Sequence, residues 1–492
     1  MPLKRLLVLA SHEPNLDPRI DWISRFATNL FQVTVYGISD PSRPEMPITS
    51  QHGYQIERHG CNWNGLNTFA YTSVRCFAKS PLMWLLVSTV CLLSVFVLLF
   101  GLPLALVFWV ACKLKHRLTS RHLGGVDLIW RQLARVGRPR WLIYHFLGTA
   151  VSLFREARRA PRPDVIYCND LDTLLAGVLL RSFFGCKLIY DAHEFWAHSD
   201  PASSSAEVKF FLFYERKLLA HVDAAYTVNH LLAEQMHAAL GHDFGSLPNC
   251  EPVHSFAEQG ICSISQGVIA PTMNPGESDG KKTTAEIAEG RVIFLYQGAF
   301  APKRGILELV SVWGGVDSSK AVLFLRGPDN EDKTACMDRA REIGVLDKSV
   351  FFPEPVREYD LVAAAAEADV GIIPYKAVTV NYRFCCPNKL SQYMQAGLAI
   401  LANELDFVKY AIERYQCGVT YDVNDPTNIL AAINRLINDE SFRHACQKQA
   451  KKMFVQEYNW ENVSKSLYET CARLADLKTG AEHHEVKVAR VA

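Results

Sequence analysis

Three short stretches of the sequence carry polar side chains where a predicted strand ends. The first is Ile189–Glu194 (IYDAHE), in which three ionisable residues follow an apolar run. His193 could donate a hydrogen bond or, when protonated, stabilise developing negative charge. Alternatively, Asp191 and Glu194 only cap the helix that follows. The place of the cluster, at the carboxyl end of a predicted parallel strand, favours a functional site with His193 and Glu194 as candidate catalytic residues.

The second stretch, Gln297–Gly305 (QGAFAPKRG), combines glycines with two adjacent cations and precedes a predicted helix. Gly298, Lys303 and Arg304 could form a diphosphate pocket together with the amino end of that helix. Lys303 and Arg304 could equally be ordinary surface charges. The sequence contains neither GxxxxGK[ST] nor GxGxxG, which argues against a P-loop enzyme and a dinucleotide-dependent oxidoreductase.

The third stretch, Cys386–Ile400 (CPNKLSQYMQAGLAI), predicts a helix between two strands. Asn388 follows a proline at the start of this helix, and Gly397 ends it. Lys389 lies in the first turn, where the helix dipole disfavours a cation. A phosphate group between Lys389 and the free N–H groups of that turn would remove the conflict. The stretch therefore predicts an anion-binding site.

An apolar segment interrupts the first half of the chain. Residues 82–112 contain no charged side chain, and residues 113–162 contain twelve Lys and Arg against two acidic residues. An apolar run beside a basic cluster is typical of contact with a membrane. Because apolar strands are predicted on both sides, a single crossing of a bilayer would divide one sheet. Gly101 and Pro103 also break the run. We therefore predict a helical hairpin that dips into one leaflet from the cytoplasmic face; the alternatives are buried core helices and one spanning helix.

Short apolar runs alternate with helical patterns in two parts of the chain, which is typical of doubly wound α/β domains. The predicted strands are Leu6–Ser11, Val33–Gly37, Val165–Cys168, Leu188–Asp191, Val292–Gln297, Val322–Arg326, Val350–Phe352, Val370–Pro374 and Leu398–Ala402. We expect two Rossmann-like domains that face each other across a cleft, where the carboxyl ends of the strands hold the ligands.

The expected domain limits follow from changes in composition. The N-terminal domain spans residues 1–255 and contains the hairpin and the basic stretch. Residues 256–290 are rich in Gly, Ser, Thr and Pro and predict a linker. The C-terminal domain then spans 291–455. A closing helix over 456–477 and a disordered tail over 478–492 complete the chain.

The composition excludes several classes of protein. Among 492 residues, 52 Lys and Arg balance 51 Asp and Glu, which argues against a general nucleic-acid binder. The 14 cysteines form no CxxC pair, so we expect reduced thiols rather than disulfides or a zinc site. No apolar run near the start has the length of a signal peptide. One short apolar segment without charges does not favour a transporter or channel.

Eight segments in this order resemble glycosyltransferase family four. They are DPR at residues 17–19, DVIYCNDLDTLLAG, KLIYDAHEFW, YERKLLAHVDAAYTV, LPN, LYQGAFAPKRGILELV, EADVGIIPY and PNKLSQYMQAGLAILAN. They span nearly the whole chain except residues 82–160 and 256–290. The resemblance implies the α/β GT-B fold and a retaining enzyme. Its donor would be a nucleotide-sugar linked to UDP or GDP, with no cofactor and no obligatory metal.

The resemblance also assigns residues to the two sides of the cleft. His193 would contact the donor sugar near the reacting centre, with Glu194 beside it. The donor-binding residues would be Gly298, Lys303, Arg304, Asn388, Lys389, Leu390 and Gln392. The acceptor side would include Glu13, Asp17, Arg19 and Asp170. Asp170–Asp172 has the spacing of a DxD motif, but its place in the N-terminal domain favours helix capping or acceptor contact over a metal.

Three positions depart from the family's pattern. Gln392 stands where the family usually has a Glu bonded to the donor's ribose, and Phe384 stands where a second acid is common. Ala299 replaces a frequent Arg. An uncharged Gln392 could still bond a hydroxyl group, but without charge assistance. A catalytically weak or inactive membrane partner in polysaccharide assembly therefore stays an alternative, as does a sugar-nucleotide epimerase.

The expected function combines the resemblance with the apolar segment. A glycosyltransferase held peripherally at the cytoplasmic face of the cell membrane would transfer a hexose to a polyprenyl-linked saccharide. The acceptor's phosphates would contact the basic stretch and its lipid the hairpin. Such an enzyme would serve polysaccharide biosynthesis and bind no nucleic acid.

Overall fold

The computed structural model describes residues 3–39, 46–60, 146–201, 203–253 and 284–477. These ranges form two α/β units, each built on one sheet. The fold class that the sequence predicts, two Rossmann-like domains, is confirmed. The predicted hairpin at 82–112, the basic stretch up to residue 145 and the tail at 478–492 lie outside the described residues.

The N-terminal sheet has eight strands in the order β3-β4-β2-β1-β5-β6-β7-β8. Neighbouring strands are parallel, except that β3 pairs with β4 in the antiparallel direction. The strands are β1 (Lys4–Leu9), β2 (Phe31–Ile38), β3 (Ile48–Gln51), β4 (Tyr54–His59), β5 (Val165–Asn169), β6 (Lys187–Ala192), β7 (Ala224–Thr227) and β8 (Gly245–Ser246). Every residue of β5 is buried, as a central parallel strand covered on both faces requires.

The C-terminal sheet is parallel throughout, with six strands in the order β11-β10-β9-β12-β13-β14. They are β9 (Val292–Gln297), β10 (Ala321–Arg326), β11 (Val350–Phe351), β12 (Val370–Ile373), β13 (Ala399–Asn403) and β14 (Gly418–Tyr421). All nine strands predicted from apolar runs correspond to strands of the two sheets.

The helices connect the strands and cover the sheets. They are α1 (Pro18–Ala27), α2 (146–157), α3 (Leu171–Phe184), α4 (Ser205–Leu219), α5 (His230–Leu240), α6 (Thr284–Ala288), α7 (Ile306–Trp313), α8 (Glu331–Glu342), α9 (Leu361–Ala365), α10 (Val380–Arg383), α11 (Asn388–Ala396), α12 (Asp406–Tyr415), α13 (Pro426–Asn438), α14 (Glu440–Gln456), α15 (Trp460–Val463) and α16 (Lys465–Leu474). Side-chain caps define several starts, such as the reciprocal capping box of Ser204 and Glu207 at α4.

Two helix layers enclose the N-terminal sheet. Buried residues of α2, α3, α4 and α5 share one apolar core with one face of the sheet. Residues of α1 share a second core with the other face. This second core also contains α15 and α16, so the last part of the described chain returns to the N-terminal domain.

The returning helices make specific contacts with the N-terminal domain. The rings of Trp22 and Trp460 lie 5.6 Å apart. The hydroxyl group of Tyr226 donates a hydrogen bond to Thr470 Oγ1 (2.9 Å). The structure therefore has two helices, α15 and α16, where the sequence predicts one closing helix.

Both ends of the segment 61–145 lie on the N-terminal domain. Strand β1 pairs with β2 and β5, so the strands before and after this segment belong to one sheet. The carbonyl of Gly60 accepts a hydrogen bond from Ser152 Oγ of α2 (3.2 Å). Among the helices of the described ranges, none has the length and apolarity needed to cross a bilayer.

The described end of the predicted linker differs from expectation. Residues 284–288 form the short helix α6, and Ala288 is buried in the core. The last residues of the 256–290 segment thus belong to the folded C-terminal unit. The cysteines of the described ranges are free thiols.

Candidate functional site

The N-terminal side of the cleft is built around Asp191, at the end of β6. Arg19 binds both carboxylate oxygens of Asp191 with its Nε and Nη2 atoms, each at 2.8 Å. Tyr167 donates a hydrogen bond to Oδ2 (2.7 Å). Burial raises the pKa of Asp191, but the charges of Arg19 and His193 outweigh it and lower that pKa. Asp191 is therefore ionised, and it does not cap a helix as the alternative interpretation proposed.

Arg19 occupies a different place from the one expected on the acceptor side. Its side chain is only 3% exposed, and its Nη1 atom also donates to Leu247 O and Asn249 Oδ1, each at 2.7 Å. The guanidinium joins α1 to β6 and to the segment that leaves the domain. These hydrogen bonds hold the three elements together, and the buried guanidinium leaves little surface for an acceptor.

Glu13 is also buried, contrary to its expected place on the acceptor side. Arg58 donates from Nε to both carboxylate oxygens of Glu13 (2.9 and 3.0 Å). Asp17 lies closer to the cleft: it caps α1 by accepting a hydrogen bond from the Arg19 N–H (2.9 Å). Its Oδ2 atom is 3.6 Å from His193 Nδ1. Of these two acids, only Asp17 adjoins the predicted catalytic histidine.

Three carboxylates surround the imidazole of His193. Nε2 is 3.1 Å from Asp191 Oδ2, and Nδ1 is 3.6 Å from Asp17 Oδ2 and from Asp170 Oδ2. Burial lowers the pKa of His193, but the nearby charges of Asp170 and Asp191 outweigh it and raise the pKa to about 9. His193 is therefore an imidazolium at neutral pH, held at the carboxyl ends of β5 and β6.

Asp170 combines a strained backbone with a perturbed carboxyl group. Its φ of 62° is rare for a residue with a side chain. Its Oδ1 atom accepts hydrogen bonds from the backbone N–H groups of His193 (2.9 Å) and Glu194 (3.3 Å), and it does not cap α3. Burial, together with Asp172 and Glu194, raises its pKa to about 7 against the charge of His193. Asp170 thus fixes the backbone of the predicted catalytic pair, and the helix-capping interpretation is wrong.

Glu194 is exposed and faces the other domain. Loss of solvent in the cleft raises the pKa of Glu194, and the charges of Lys303 and Arg304 in the other domain oppose that rise. Two hydrogen bonds cross the cleft nearby: the Phe195 N–H donates to Asn381 Oδ1 (2.9 Å), and Asn229 Nδ2 donates to the Phe384 carbonyl (2.6 Å). The two predicted halves of the site therefore form one cleft.

The C-terminal side begins with Gly298 and Lys389. Gly298 follows β9 with a φ of 137°, and a Cβ atom there would lie 2.5 Å from Lys389 Nζ. Lys389 lies in the first turn of α11, over the rings of Tyr296 (5.4 Å) and Tyr375 (5.6 Å). The positive φ favours glycine at this position, and any other side chain would displace the Lys389 ammonium group.

Lys303 and Arg304 extend the cationic surface. The Arg304 guanidinium stacks 3.9 Å above Tyr375, and Lys303 Nζ is 4.6 Å from the ring of Tyr382. Among the described residues, no carboxylate forms an ion pair with Lys303, Arg304 or Lys389. Cation–π contacts orient these side chains without neutralising them.

Two helices begin beside these cations. Helix α7 starts after Gly305, and α11 starts after Pro387 with Asn388 as its first residue; neither has a side-chain cap. Leu390 is fully buried and anchors the first turn of α11. Free N–H groups and unpaired cations together favour binding of an anion such as a diphosphate.

Gln392 contacts a residue that sequence reasoning missed. Its Nε2 atom donates a hydrogen bond to Oε1 of Glu251 (3.0 Å). Burial and the charge of Glu358 raise the pKa of Glu251 to about 7, against the hydrogen bond from Gln392. Glu251 lies two residues after the LPN segment, but nothing in the sequence pairs it with a position 141 residues away.

The other two departures from the family's pattern have structural roles. Phe384 is buried, and its carbonyl accepts the hydrogen bond from Asn229. The carbonyl of Ala299 accepts a hydrogen bond from the Tyr296 hydroxyl group (2.6 Å). Neither position places a charge in the cleft. In the part of the chain that the structure describes, no cluster of three or more His, Cys, Asp or Glu residues could hold a metal ion.

Comparison with known families identifies both halves of the cleft. Residues 107–246 match the glycosyl transferase 4-like domain, and residues 279–453 match the glycosyl transferases group 1. The lipopolysaccharide 1,2-N-acetylglucosaminetransferase of Salmonella typhimurium is 26% identical over 224 residues, which is 42% of this chain and 55% of that protein. The chain thus matches only about half the length of this curated relative.

Solved structures share the overall architecture. Sucrose-phosphate synthase from Thermosynechococcus elongatus superposes with a TM-score of 0.61 at 13% identity, covering 96% of this chain and 99% of that chain. The Anabaena protein HepE in complex with UDP gives 0.59 at 12% identity, with 96% and 100% covered. Trehalose-6-phosphate synthase from Burkholderia multivorans gives 0.60 at 12% identity, with 96% and 99% covered. At these identities the likeness establishes the fold.

Proposed function

Because this chain belongs to the GT-B glycosyltransferases, we propose that it transfers a sugar from a nucleotide-diphosphate sugar to a saccharide acceptor. The observation that carries the proposal is the pair of uncapped helix amino ends beside three cations that have no carboxylate partner among the described residues. A diphosphate supplies the missing negative charge. The donor therefore binds the C-terminal side, at Arg304 and Lys389.

The N-terminal side supplies the groups near the reacting carbon. Cleavage of the sugar–phosphate bond moves negative charge onto the leaving diphosphate and positive charge onto the sugar. Lys303, Arg304 and Lys389 stabilise the negative charge on the leaving diphosphate. Nε2 of His193 is bound to Asp191, so its Nδ1–H, which is 3.6 Å from two carboxylates, is the group that donates to a sugar hydroxyl. Glu194 lies at the exposed edge of the same cleft. We propose that the configuration at the transferred carbon is retained.

Glu251 and Gln392 together bind the ribose of the donor. Their hydrogen bond presents one amide oxygen and one carboxylate at the second turn of α11. Sugar hydroxyl groups donate to both, and the carboxylate makes the stronger bond. The carboxyl group that the resemblance leads us to expect at position 392 is thus provided by the neighbouring Glu251, which is partly ionised at neutral pH because burial raises its pKa to about 7. This arrangement argues against the inactive-partner alternative.

The donor proposal is tested by binding and turnover of UDP- and GDP-linked sugars with the purified full chain. Saturable binding of one donor and transfer to an acceptor support the proposal. Binding without transfer favours the inactive partner, and interconversion of the free sugar nucleotide favours an epimerase. Activity that persists in EDTA supports our proposal that no metal is obligatory.

We propose a lipid-linked saccharide as the acceptor, at the cytoplasmic face of the membrane. The apolar run at 82–112 and the basic residues of 113–162 support this proposal. A lipid diphosphate would match both features. The Salmonella relative is named for transfer in lipopolysaccharide, which also supports a membrane-linked glycan.

The acceptor is tested by deleting residues 82–112. A variant that keeps donor binding and transfers to a water-soluble saccharide, but loses transfer to the polyprenyl-linked one, supports the proposal. Equal use of the lipid-linked acceptor by both proteins would contradict it.

A further inference from the structure

The N-terminal domain carries an exposed aromatic face away from the cleft. We define this aromatic face by its exposed apolar residues: Leu147, Val151, Leu179, Phe183, Phe210 and Phe213. Phe183, Phe210 and Phe213 are 58%, 49% and 60% exposed. They are the exposed phenylalanines of the described chain. An apolar group of this size on a surface usually marks a contact with another molecule or a membrane.

The aromatic face spans three helices of one layer. Helices α3 and α4 pack against each other, and α2 contacts both of them through aromatic rings. Phe154 of α2 contacts Phe183 of α3 with ring centres 6.2 Å apart. Phe146 of α2 contacts Phe211 of α4 at 5.4 Å. Helix α2 thus joins α3 and α4 into one surface.

Exposed cations lie on two of the helices that carry these apolar side chains, α2 and α4, or shortly after α2. They are Arg155, Arg158, Arg159, Arg162, Lys209, Arg216 and Lys217. Lys217 Nζ lies 5.7 Å from the ring of Phe213. Arg155 and Arg159 share Glu156, so one carboxylate serves two guanidinium groups there. The surface combines apolar centres with a net positive rim.

We propose that the aromatic face lies on the surface of a lipid bilayer that contains anionic lipids. Phenylalanines enter the boundary between headgroups and acyl chains, and the Lys and Arg side chains extend to lipid phosphates. Such cations are attracted to an anionic surface within about one Debye length. This contact uses neither the run at 82–112 nor the cleft, and of the basic stretch at 113–162 it uses Arg155, Arg158, Arg159 and Arg162.

The cations of the aromatic face favour a bilayer over two other occupants, the apolar run at 82–112 and a second copy of the chain. The run at 82–112 carries no charge, so packing it on the face would leave the cationic rim unpaired. A second copy of the chain would bring the same cations against each other across a twofold axis. A bilayer with anionic lipids complements both the apolar and the cationic parts.

The two ends of the segment 61–145 lie at α2, one of the helices that carry the aromatic face. The segment follows Gly60, whose carbonyl accepts a hydrogen bond from Ser152 of α2. It precedes residue 146, the first described residue of α2. Both ends of the segment that contains the apolar run therefore lie on the domain that carries the aromatic face.

Photo-crosslinking in vesicles tests the proposal with the full chain. The residue p-benzoylphenylalanine replaces Phe210 or Phe213, and Val455, an exposed apolar residue of α14, is the matched control. In vesicles with about one quarter phosphatidylglycerol we expect adducts to lipid about tenfold above the control, and several-fold fewer in pure phosphatidylcholine.

Three outcomes would overturn the proposal. They are adducts to residues 82–112 of the same chain, adducts to a second copy, and lipid adducts no more frequent than at Val455. A further pair, Phe210→Ser and Phe213→Ser, should reduce contact with anionic vesicles while donor binding stays unchanged. Because donor binding is measured separately, loss of the lipid contact and failure of the transferase proposal can be told apart.

Discussion

The N-terminal side of the cleft pairs its charges within the protein, whereas the C-terminal side holds its cations against aromatic rings. Asp191 is bound by Arg19, Tyr167 and His193. Lys389 and Arg304 instead contact tyrosines 296 and 375. A charge compensated inside the fold contributes to stability, and one left uncompensated is available for a ligand. The comparison predicts that substitutions on the two sides change different quantities.

Asp191→Asn should have the largest effect, and on stability. It would leave Arg19 and protonated His193 buried without their shared carboxylate, at a cost of about 3–5 kcal/mol in the free energy of unfolding. Chemical denaturation would measure this. The control Glu404→Gln breaks an exposed pair with Lys409 and should cost about 1 kcal/mol or less. Similar losses for both variants would contradict internal charge compensation on the N-terminal side.

The protonation of His193 should make stability fall as the pH rises. Its folded pKa of about 9 lies above the ordinary value of 6.5. The stabilisation is therefore complete below pH 6.5 and is lost as the pH rises through about 9. It amounts to about 3 kcal/mol at most. The difference in unfolding free energy between the protein and His193→Gln should shrink over this range.

The control for the pH experiment is His444→Gln, at an exposed position of α14. This substitution should leave the pH dependence of the unfolding free energy the same as in the unsubstituted protein. NMR titration of the His193 ring provides a direct check. A midpoint near 6.5, the ordinary value, would mean that the three carboxylates do not hold the proton.

Lys389→Ala should affect binding rather than stability. Loss of one charge-assisted contact with a diphosphate costs about 1.5–3 kcal/mol, or roughly 10- to 150-fold in Kd for the donor. The free energy of unfolding should not fall, since no carboxylate among the described residues pairs with this ammonium group. Calorimetry and denaturation measure the two quantities, with Lys348→Ala, before β11, as the control. A variant that unfolds more easily but binds the donor normally would show that Lys389 serves stability, and would contradict its assignment to the ligand.

Exchange of Glu251 and Gln392 should have the smallest effect. Glu251→Gln should weaken donor binding by about 0.5–1.5 kcal/mol, because a hydroxyl group would lose a carboxyl acceptor that is partly ionised at neutral pH. Gln392→Glu alone would place two carboxylates together and should also weaken binding. The double variant restores one carboxylate and one amide, and its donor Kd should return toward the original value. Additive losses in the double variant would exclude the shared site.

Much of the fold could be predicted from local patterns. Apolar runs located nine strands because a buried parallel strand needs apolar residues on both faces. The end of β6 and the start of α11 were located in the same way, so His193 and Lys389 were found where the sequence predicted them. These features depend on neighbours in the chain.

The remaining features depend on contacts between distant residues. Arg19 and Glu13 have the residue types of a binding site, but partners 172 and 45 residues away bury them. Glu251 became part of the site through a contact with Gln392. Spacing along the chain cannot show which charges are neutralised in three dimensions, and this decides which of them can meet a ligand.

The return of α15 and α16 to the N-terminal domain determines the order in which the protein can be completed during synthesis. Trp460 and Leu467 belong to the same core as Trp22 and Ile23. That core stays open on the ribosome until residues 460–475 have been translated, long after its strand β1. Segment 61–145 leaves the ribosome long before this closure. The nascent chain therefore presents its apolar run to chaperones and membranes while the N-terminal core is still unfinished.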